Sequence, residues 1–182
     1  MSKITGDRAF LPVNIALLTV SDSRTSANDK SGDILQERIT QAGHKVVARL
    51  IVKDEQALIA EQLRSWIADP DIDSIIATGG TGLTGRDVTA EAFAEVYEKE
   101  ISGFGELFRQ LSYETIGTST IQSRATGGVA GGTYLFALPG SPGACRDGWD
   151  KILKFQLDSR QKPCNLVELM PRLKEHIGSA ES

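Results

Sequence analysis

An α/β fold built on a mostly parallel sheet is predicted by three features of the chain. Short, nearly continuous apolar runs alternate with longer segments of helical periodicity, the pattern of strands buried on both faces and separated by crossover helices. Each apolar run is also followed at its C-terminal end by a polar or glycine-rich turn. Thirteen of the 18 glycines lie between Gly79 and Gly143, which concentrates such turns in one stretch.

The elements follow in order. Asn14 to Val20 is the first apolar strand, and polar Ser21-Asp22-Ser23-Arg24 follows it directly. A helix reads from about Ser31, with Ile34, Leu35, Ile39 and Ala42 on one side and Gly43 as its stop. Val46 to Val52 is the β-branched second strand. Asp54 is placed to cap a helix carrying Leu58, Ile59, Leu63, Trp66 and Ile67, and Pro70 ends it. Ile72 to Ala77 forms a third strand that runs into Thr78-Gly79-Gly80-Thr81-Gly82-Leu83-Thr84-Gly85-Arg86-Asp87. Helices are expected near Thr89–Lys99 and Gly105–Tyr113. A hairpin or flexible turn is expected where Gly127-Gly128 and Gly131-Gly132 flank Val129-Ala130. Thr133 to Leu138 is a further strand, ended by Pro139-Gly140-Ser141-Pro142-Gly143. The last helices read as Ala144–Leu157 and Asn165–His176, the second limited by Pro171.

At 182 residues the chain is the size of one domain, here taken as 1–182, and shows no linker or repeat. No apolar run approaches the ~20 residues that span a bilayer. The N-terminal Met-Ser-Lys-Ile-Thr-Gly-Asp has no signal-peptide character, so no membrane partner is expected and the cytoplasm is the expected compartment. Cys145 and Cys164 make no disulfide framework, and with only His44 and His176 beside them they make no zinc set. Cys145 reads as a buried or semi-buried thiol and His44 as a surface residue. A net charge of −4 and a pI near 5.3 argue against nucleic acid as a partner. They leave room for a small anion in a local pocket.

Ligands of parallel sheets bind at the carboxyl ends of the strands. Ser21-Asp22, Asp54, the glycine loop and Pro139-Gly140 all fall there. Gly80-Thr81-Gly82-Leu83-Thr84-Gly85 formally satisfies the dinucleotide fingerprint G-x-G-x-x-G. It follows the third strand instead of the first, however, and leads into polar Arg86-Asp87. No Gly-Lys-Ser/Thr follows, so it is not a P-loop. Four glycines and three threonines within eight residues fit a loop whose N–H groups and hydroxyls cradle phosphate, the alternative being a plain tight turn. Asp87 beyond it is either a helix cap or a carboxylate that meets bound phosphate through Mg²⁺, with Asp54 as a second such carboxylate. Arg86, Arg109 and Arg124 are candidates for neutralising ligand charge.

Several segments carry a resemblance. They are Thr19-Val20-Ser21-Asp22-Ser23-Arg24, Asp29-Lys30-Ser31-Gly32, Asp54-Glu55-Gln56, Thr78-Gly79-Gly80-Thr81-Gly82 and Arg86-Asp87-Val88-Thr89, followed by Gly103-Phe104-Gly105-Glu106, Ser123-Arg124 and Leu138-Pro139-Gly140. In this order, across about residues 12 to 170, the chain resembles the molybdenum cofactor biosynthesis proteins of the Mog and B type, and the segment from Phe104 through Asn165 resembles the B branch more closely. The resemblance implies a three-layer α/β/α sandwich, the molybdopterin-binding fold, assembled as a homotrimer or a homohexamer made of two trimers. It implies binding of molybdopterin and, as in the Mog branch, adenylyl transfer from ATP to the terminal phosphate of molybdopterin with Mg²⁺. Thr78, Gly79, Gly80, Thr81 and Gly82 would then cradle phosphate. Asp54 and Asp87 would be the catalytic, metal-holding carboxylates, and Ser21, Asp22, Pro139 and Gly140 would line the cleft. Glu106 and Ser123 are further ligand contacts by the same analogy. Other enzymes of the pathway would be partners. Leu83-Thr84 departs from the Mog pattern, which keeps a second reading open: a non-catalytic molybdopterin-binding or scaffold protein.

Overall fold

The computed structural model describes residues 3, 4, 6 and 8–175. In chain order the elements are β1 (Lys3–Ile4), β2 (Asn14–Val20), α1 (Lys30–Gln41), β3 (Lys45–Val52), α2 (Gln56–Ile67), β4 (Ser74–Thr78), α3 (Thr89–Val96), β5 (Lys99–Glu100) and α4 (Ser102–Ile116). A 3₁₀ segment, Gly117–Gln122, leads to β6 (Thr126–Ala130), β7 (Thr133–Leu138) and α5 (Pro142–Gly148). A π-helical turn at Trp149–Leu153 carries α5 into the short α6 (Lys154–Gln156), and β8 (Gln161–Lys162) and a 3₁₀ segment at Val167–Arg172 follow.

Six strands form one sheet in the order β3-β2-β4-β7-β6-β5, and β1 pairs with β8 apart from it. The pairs β3–β2, β2–β4 and β4–β7 are parallel, while β6 is antiparallel to both β7 and β5. Only β6 therefore opposes the common direction. The period of two along each strand divides the core. Ile15, Leu17, Ile76, Tyr134, Phe136 and Leu138 face α1, α4 and α5, meeting Leu35, Phe104, Phe108 and Trp149. Ala16, Leu18, Val20, Ile75, Ala77, Leu135 and Ala137 face α2 and α3, meeting Ile59, Leu63 and Phe93. Two apolar cores on the two faces of one sheet make the three-layer sandwich that was expected.

The glycine-rich hairpin is real but is no flexible segment. Gly127 and Gly128 lie inside β6, and the turn is Gly131-Gly132, whose φ values of 57° and 84° suit a two-residue hairpin connection. Other boundaries differ from expectation for local reasons. Asp54 does not cap α2: Glu55 holds the cap position without a side-chain hydrogen bond. The third helix stops at Val96 because Tyr97 is extended and feeds β5. The last helix is replaced by the 3₁₀ run containing Pro171, which lacks the N–H that an α-turn needs, while His176 lies outside the described residues. His44 is buried at 4% exposure, not at the surface. The Val13 N–H donates to its Nδ1 at 3.1 Å, and the rings of Phe10 and Trp149 pack against it.

Candidate functional site

The carboxyl ends of β2, β4 and β7 meet at the glycine loop. Gly79 N donates to Leu138 O at 3.0 Å, so the loop leaves β4 stitched to the end of β7. Gly79 and Gly80 have φ of 105° and 64°, and a Cβ on Gly79 would stand 2.2 Å from Val20 O. Nothing but glycine fits that approach to β2. Thr89, the first residue of α3, then takes both glycine carbonyls: its Oγ1 donates to Gly79 O at 2.8 Å and its N–H to Gly80 O at 3.0 Å. The N–H groups of Gly80 and Thr81 have no partner among the described residues, which leaves donors for an anion.

Arg124 braces the far side of the loop. Its N–H donates to Thr81 O at 3.0 Å, Nε to Gly82 O at 2.7 Å and Nη2 to Asp87 O at 2.6 Å, while Nη1 pairs with Glu91. This arginine is committed to the loop backbone and is not a free neutralising charge.

Two compartments share a neck at Gly80 and Gly140. The smaller, about 230 Å³, is lined by Thr19, Val20, Ser21, Arg24, Asp54, Thr78 and Gly79 together with the neck. The larger, about 510 Å³, takes Thr81, Gly82, Asp87, Ser123, Pro139 and Ser141, and beyond them the α4 residues Phe108, Ser112, Thr115 and Ile116. Asp54 and Asp87 thus stand on either side of the neck. A Cβ on Gly80 would lie 3.0 Å from Asp54 Oδ1 and one on Gly82 would lie 2.7 Å from Asp87 Oδ2, so both carboxylates press against glycine backbone.

Their electrostatics differ. Burial, followed by the charge of neighbouring Asp22, pushes the Asp54 carboxyl above the usual carboxylate range. Burial also pushes on Asp87, but the Thr84 hydroxyl at 2.6 Å, the Thr84 N–H at 2.8 Å and the Gly82 N–H outweigh it and hold that carboxyl low. Asp87 is therefore not a cap of α3, whose cap position is Val88; it closes the tip of the loop onto itself. Among the described residues no three His, Cys, Asp or Glu side chains gather around one point. Asp54 and Asp87 are of the donor type that magnesium takes beside phosphate oxygens and water.

The residues singled out from the sequence distribute as follows. Ser21, Asp54, Thr78, Gly79, Gly80 and Gly140 line the smaller compartment, and Thr81, Gly82, Asp87, Ser123 and Pro139 join the larger. Asp22 lines an adjoining groove that shares Ser21 and Arg24 with the smaller compartment. Glu106 is exposed on α4 and lines neither compartment. Cys145 is fully buried beneath the loop, 3.1 Å from Thr78 Oγ1, and burial pushes its thiol up, so it is no nucleophile. Sequence reasoning missed Arg24 as a lining residue and the whole α4 wall. Phe108, Ser112 and Thr115 recur at helical spacing, a signal that marks one face of α4.

No helix among the described residues is long and apolar enough to cross a membrane. Residues 16–159 match the family described as "Probable molybdopterin binding domain". Molybdenum cofactor biosynthesis protein B of Escherichia coli K12 is 48% identical over 165 residues, which are 91% of this chain and 96% of that protein. A crystal structure of a molybdenum cofactor biosynthesis protein B superposes with a TM-score of 0.83 at 40% identity, covering 92% of this chain and 99% of the other. The tungsten cofactor synthesizing protein MoaB from Pyrococcus furiosus gives a TM-score of 0.70 at 35% identity, over 78% and 91% of the two chains. On sequence and fold together, the chain belongs to the molybdenum cofactor biosynthesis protein B family.

Proposed function

We propose that this chain binds molybdopterin and transfers the adenylyl group of ATP to its terminal phosphate, using Mg²⁺. The supporting observation is the pair of carboxylates, Asp54 and Asp87, placed on the two sides of a glycine neck that joins a small polar compartment to a larger, mostly apolar one. A phosphate group suits the first, with the Gly80 N–H at its neck as a donor, and a fused ring suits the second, against Phe108 and Ile116. Asp54 and Asp87 would hold the magnesium ion, which supplies charge neutralisation to the phosphate oxygens when bound. In the transfer, a terminal phosphate oxygen of the pterin forms a bond to the α-phosphorus of ATP. The bond from that phosphorus to its bridging oxygen breaks, and pyrophosphate leaves. The attacking phosphate is already anionic, so no side chain has to take a proton, and the residues act by orientation and by excluding water.

One observation favours the non-catalytic reading. Thr84, where the chain departs from the Mog pattern, spends both its N–H and its hydroxyl on Asp87 Oδ2, which leaves that oxygen less available to a metal. Incubation of the protein with molybdopterin, ATP and Mg²⁺ separates the two. Adenylylated pterin and stoichiometric pyrophosphate support the transferase. Tight pterin binding with neither product leaves a carrier that hands molybdopterin to another enzyme of the pathway.

We further infer self-association as a trimer or pair of trimers, supported by exposed Leu107, Tyr113, Ile116 and Ile121 on α4 and the segment after it. A single molybdopterin-binding domain in the cytoplasm is in keeping with two free thiols, Cys145 and Cys164.

A further inference from the structure

We infer that Arg24 receives the anionic end of the ligand in the smaller compartment, and that buried Asp29 is the positioning residue that holds it there. This rests on reading the cleft as a phosphate-handling site. Arg24 is the one lysine or arginine lining that compartment. The other arginines near the cleft are placed elsewhere: Arg86 grips Asp22, Arg124 grips the glycine loop, and Arg109 lines a separate cavity where it donates to Ala125 O at 3.3 Å.

Arg24 is oriented by three fixed partners. Nη1 reaches Ser31 Oγ at 3.1 Å and Asp29 Oδ1 at 3.4 Å, and Nη2 donates to Gly140 O at 2.8 Å. A guanidinium carries five N–H donors, so two remain for a ligand. The anchor cannot drift. Asp29 is fully buried and also accepts from Thr19 Oγ1 at 2.7 Å, Gly32 N at 3.0 Å and Arg49 Nη2 at 2.9 Å, which ties it to β2, α1 and β3. Ser31 Oγ donates to the same Gly140 O at 2.9 Å. Gly140 in turn lies against Gly79: a Cβ there would come within 3.1 Å of Gly79 Cα. The network therefore aims a cation and sets the width of the neck at the same time.

The segment Asp29-Lys30-Ser31-Gly32 has a reading on these terms. Asp29 accepts and Ser31 donates. Gly32 leaves room, since a Cβ there would stand 2.1 Å from Asp29 Oδ2 and 2.7 Å from Arg49 Nη2.

The test compares binding isotherms of molybdopterin and of its dephosphorylated form for wild type, Arg24→Gln, Arg24→Lys, Asp29→Asn and the double variant Arg24→Gln/Asp29→Asn. Loss of a charge-assisted contact predicts that Arg24→Gln weakens molybdopterin by about tenfold to a hundredfold and leaves the dephospho form unchanged. Arg24→Lys should lie between, because it keeps the charge but not the fork. Asp29→Asn should weaken molybdopterin by a smaller factor, and should add nothing in the Arg24→Gln background. Equal losses for both ligands, or wild type binding both equally, overturn the role of Arg24; an additive double variant overturns that of Asp29. Should Arg24→Gln unfold, selectivity in Arg24→Lys decides instead, and its absence overturns the inference. Wild type that binds without turnover ends the adenylyl-transfer reading alone, whereas wild type that binds neither ligand ends both.

Discussion

Arg86 holds Asp22 through two parallel hydrogen bonds, Nε to Oδ2 at 2.9 Å and Nη2 to Oδ1 at 2.8 Å, and so joins the tip of the glycine loop to the lip of β2. The Arg86 guanidinium keeps the Asp22 carboxyl below the usual carboxylate range. Burial and the charge of Asp22 push the Asp54 carboxyl up and outweigh the weaker pull of Arg86, while the Asp54 N–H leans on Asp22 Oδ1 at 3.3 Å. Two neighbouring carboxylates are thereby driven in opposite directions, Asp22 downward by its arginine and Asp54 upward chiefly by burial.

Asp54→Asn should melt higher than wild type at pH 7 and lose turnover. The folded pKa of Asp54 lies above its unfolded value of 3.8, so its ionised form costs stability once pH rises through the folded pKa. Below 3.8 the group is protonated in both states and the advantage of the amide disappears. Melting curves at pH 7 and pH 3.5 check the sign, and equal differences at the two pH values would contradict it.

Arg86→Ala should change the melting midpoint little, because both partners of the ion pair are exposed, at 60% and 45% of their side-chain surface. Turnover should fall by less than about tenfold, because Arg86 lines neither compartment and reaches the site only through Asp22. A midpoint that drops as far as that of a core variant would show that the pair supports the fold.

Gly79→Ala and Gly85→Ala, six residues apart in one loop, should behave as opposites. A side chain at Gly79 meets Val20 O in a left-handed backbone, whereas nothing lies within 4 Å of a Cβ on Gly85. The first should cost about 3 kcal/mol and lower the midpoint by about 6–12 °C. The second should stay within about 0.5 kcal/mol. Thermal melts of both variants are sufficient.

His44 should make stability depend on pH. Burial, opposed by Asp158 and aided by Arg160, holds its pKa below 6.5, so the unfolded chain binds the proton more tightly than the folded one. Stability is full above pH 6.5 and falls as pH drops toward the folded pKa, with a slope of at most about 1.4 kcal/mol per pH unit. Denaturant titrations between pH 7.5 and 5 should show this, and His44→Gln, which keeps an acceptor for the Val13 N–H, should flatten it.

Strands were the most legible part of the chain. Asn14–Val20 begins and ends where the sequence places it, because a strand buried on both faces is a nearly continuous apolar run bounded by polar turns. The glycine loop was legible for a related reason: Gly79 and Gly80 occupy backbone conformations that other residues resist. Helix ends were less so. Asp54 has the composition of a cap but lies one residue early, since its carboxyl is turned to the compartment beside Gly80. His44 follows a helix stop like a surface residue and is covered only because Phe10 and Trp149 fold over it.

Local chemistry in the sequence by itself determined the α/β alternation, the edge of the sheet that bears the candidate site, and the glycine-rich loop there, because strand burial, turn dihedrals and helix periodicity act over a few residues. Only the tertiary structure decided which charged side chains line the compartments. Arg24 and Gly140 are 116 positions apart in the chain and 2.8 Å apart in space, and Asp29 owes its place to donors from three elements. Such contacts depend on strand order and crossing helices, and a side chain's partner over that separation is set by packing, not by its neighbours in sequence.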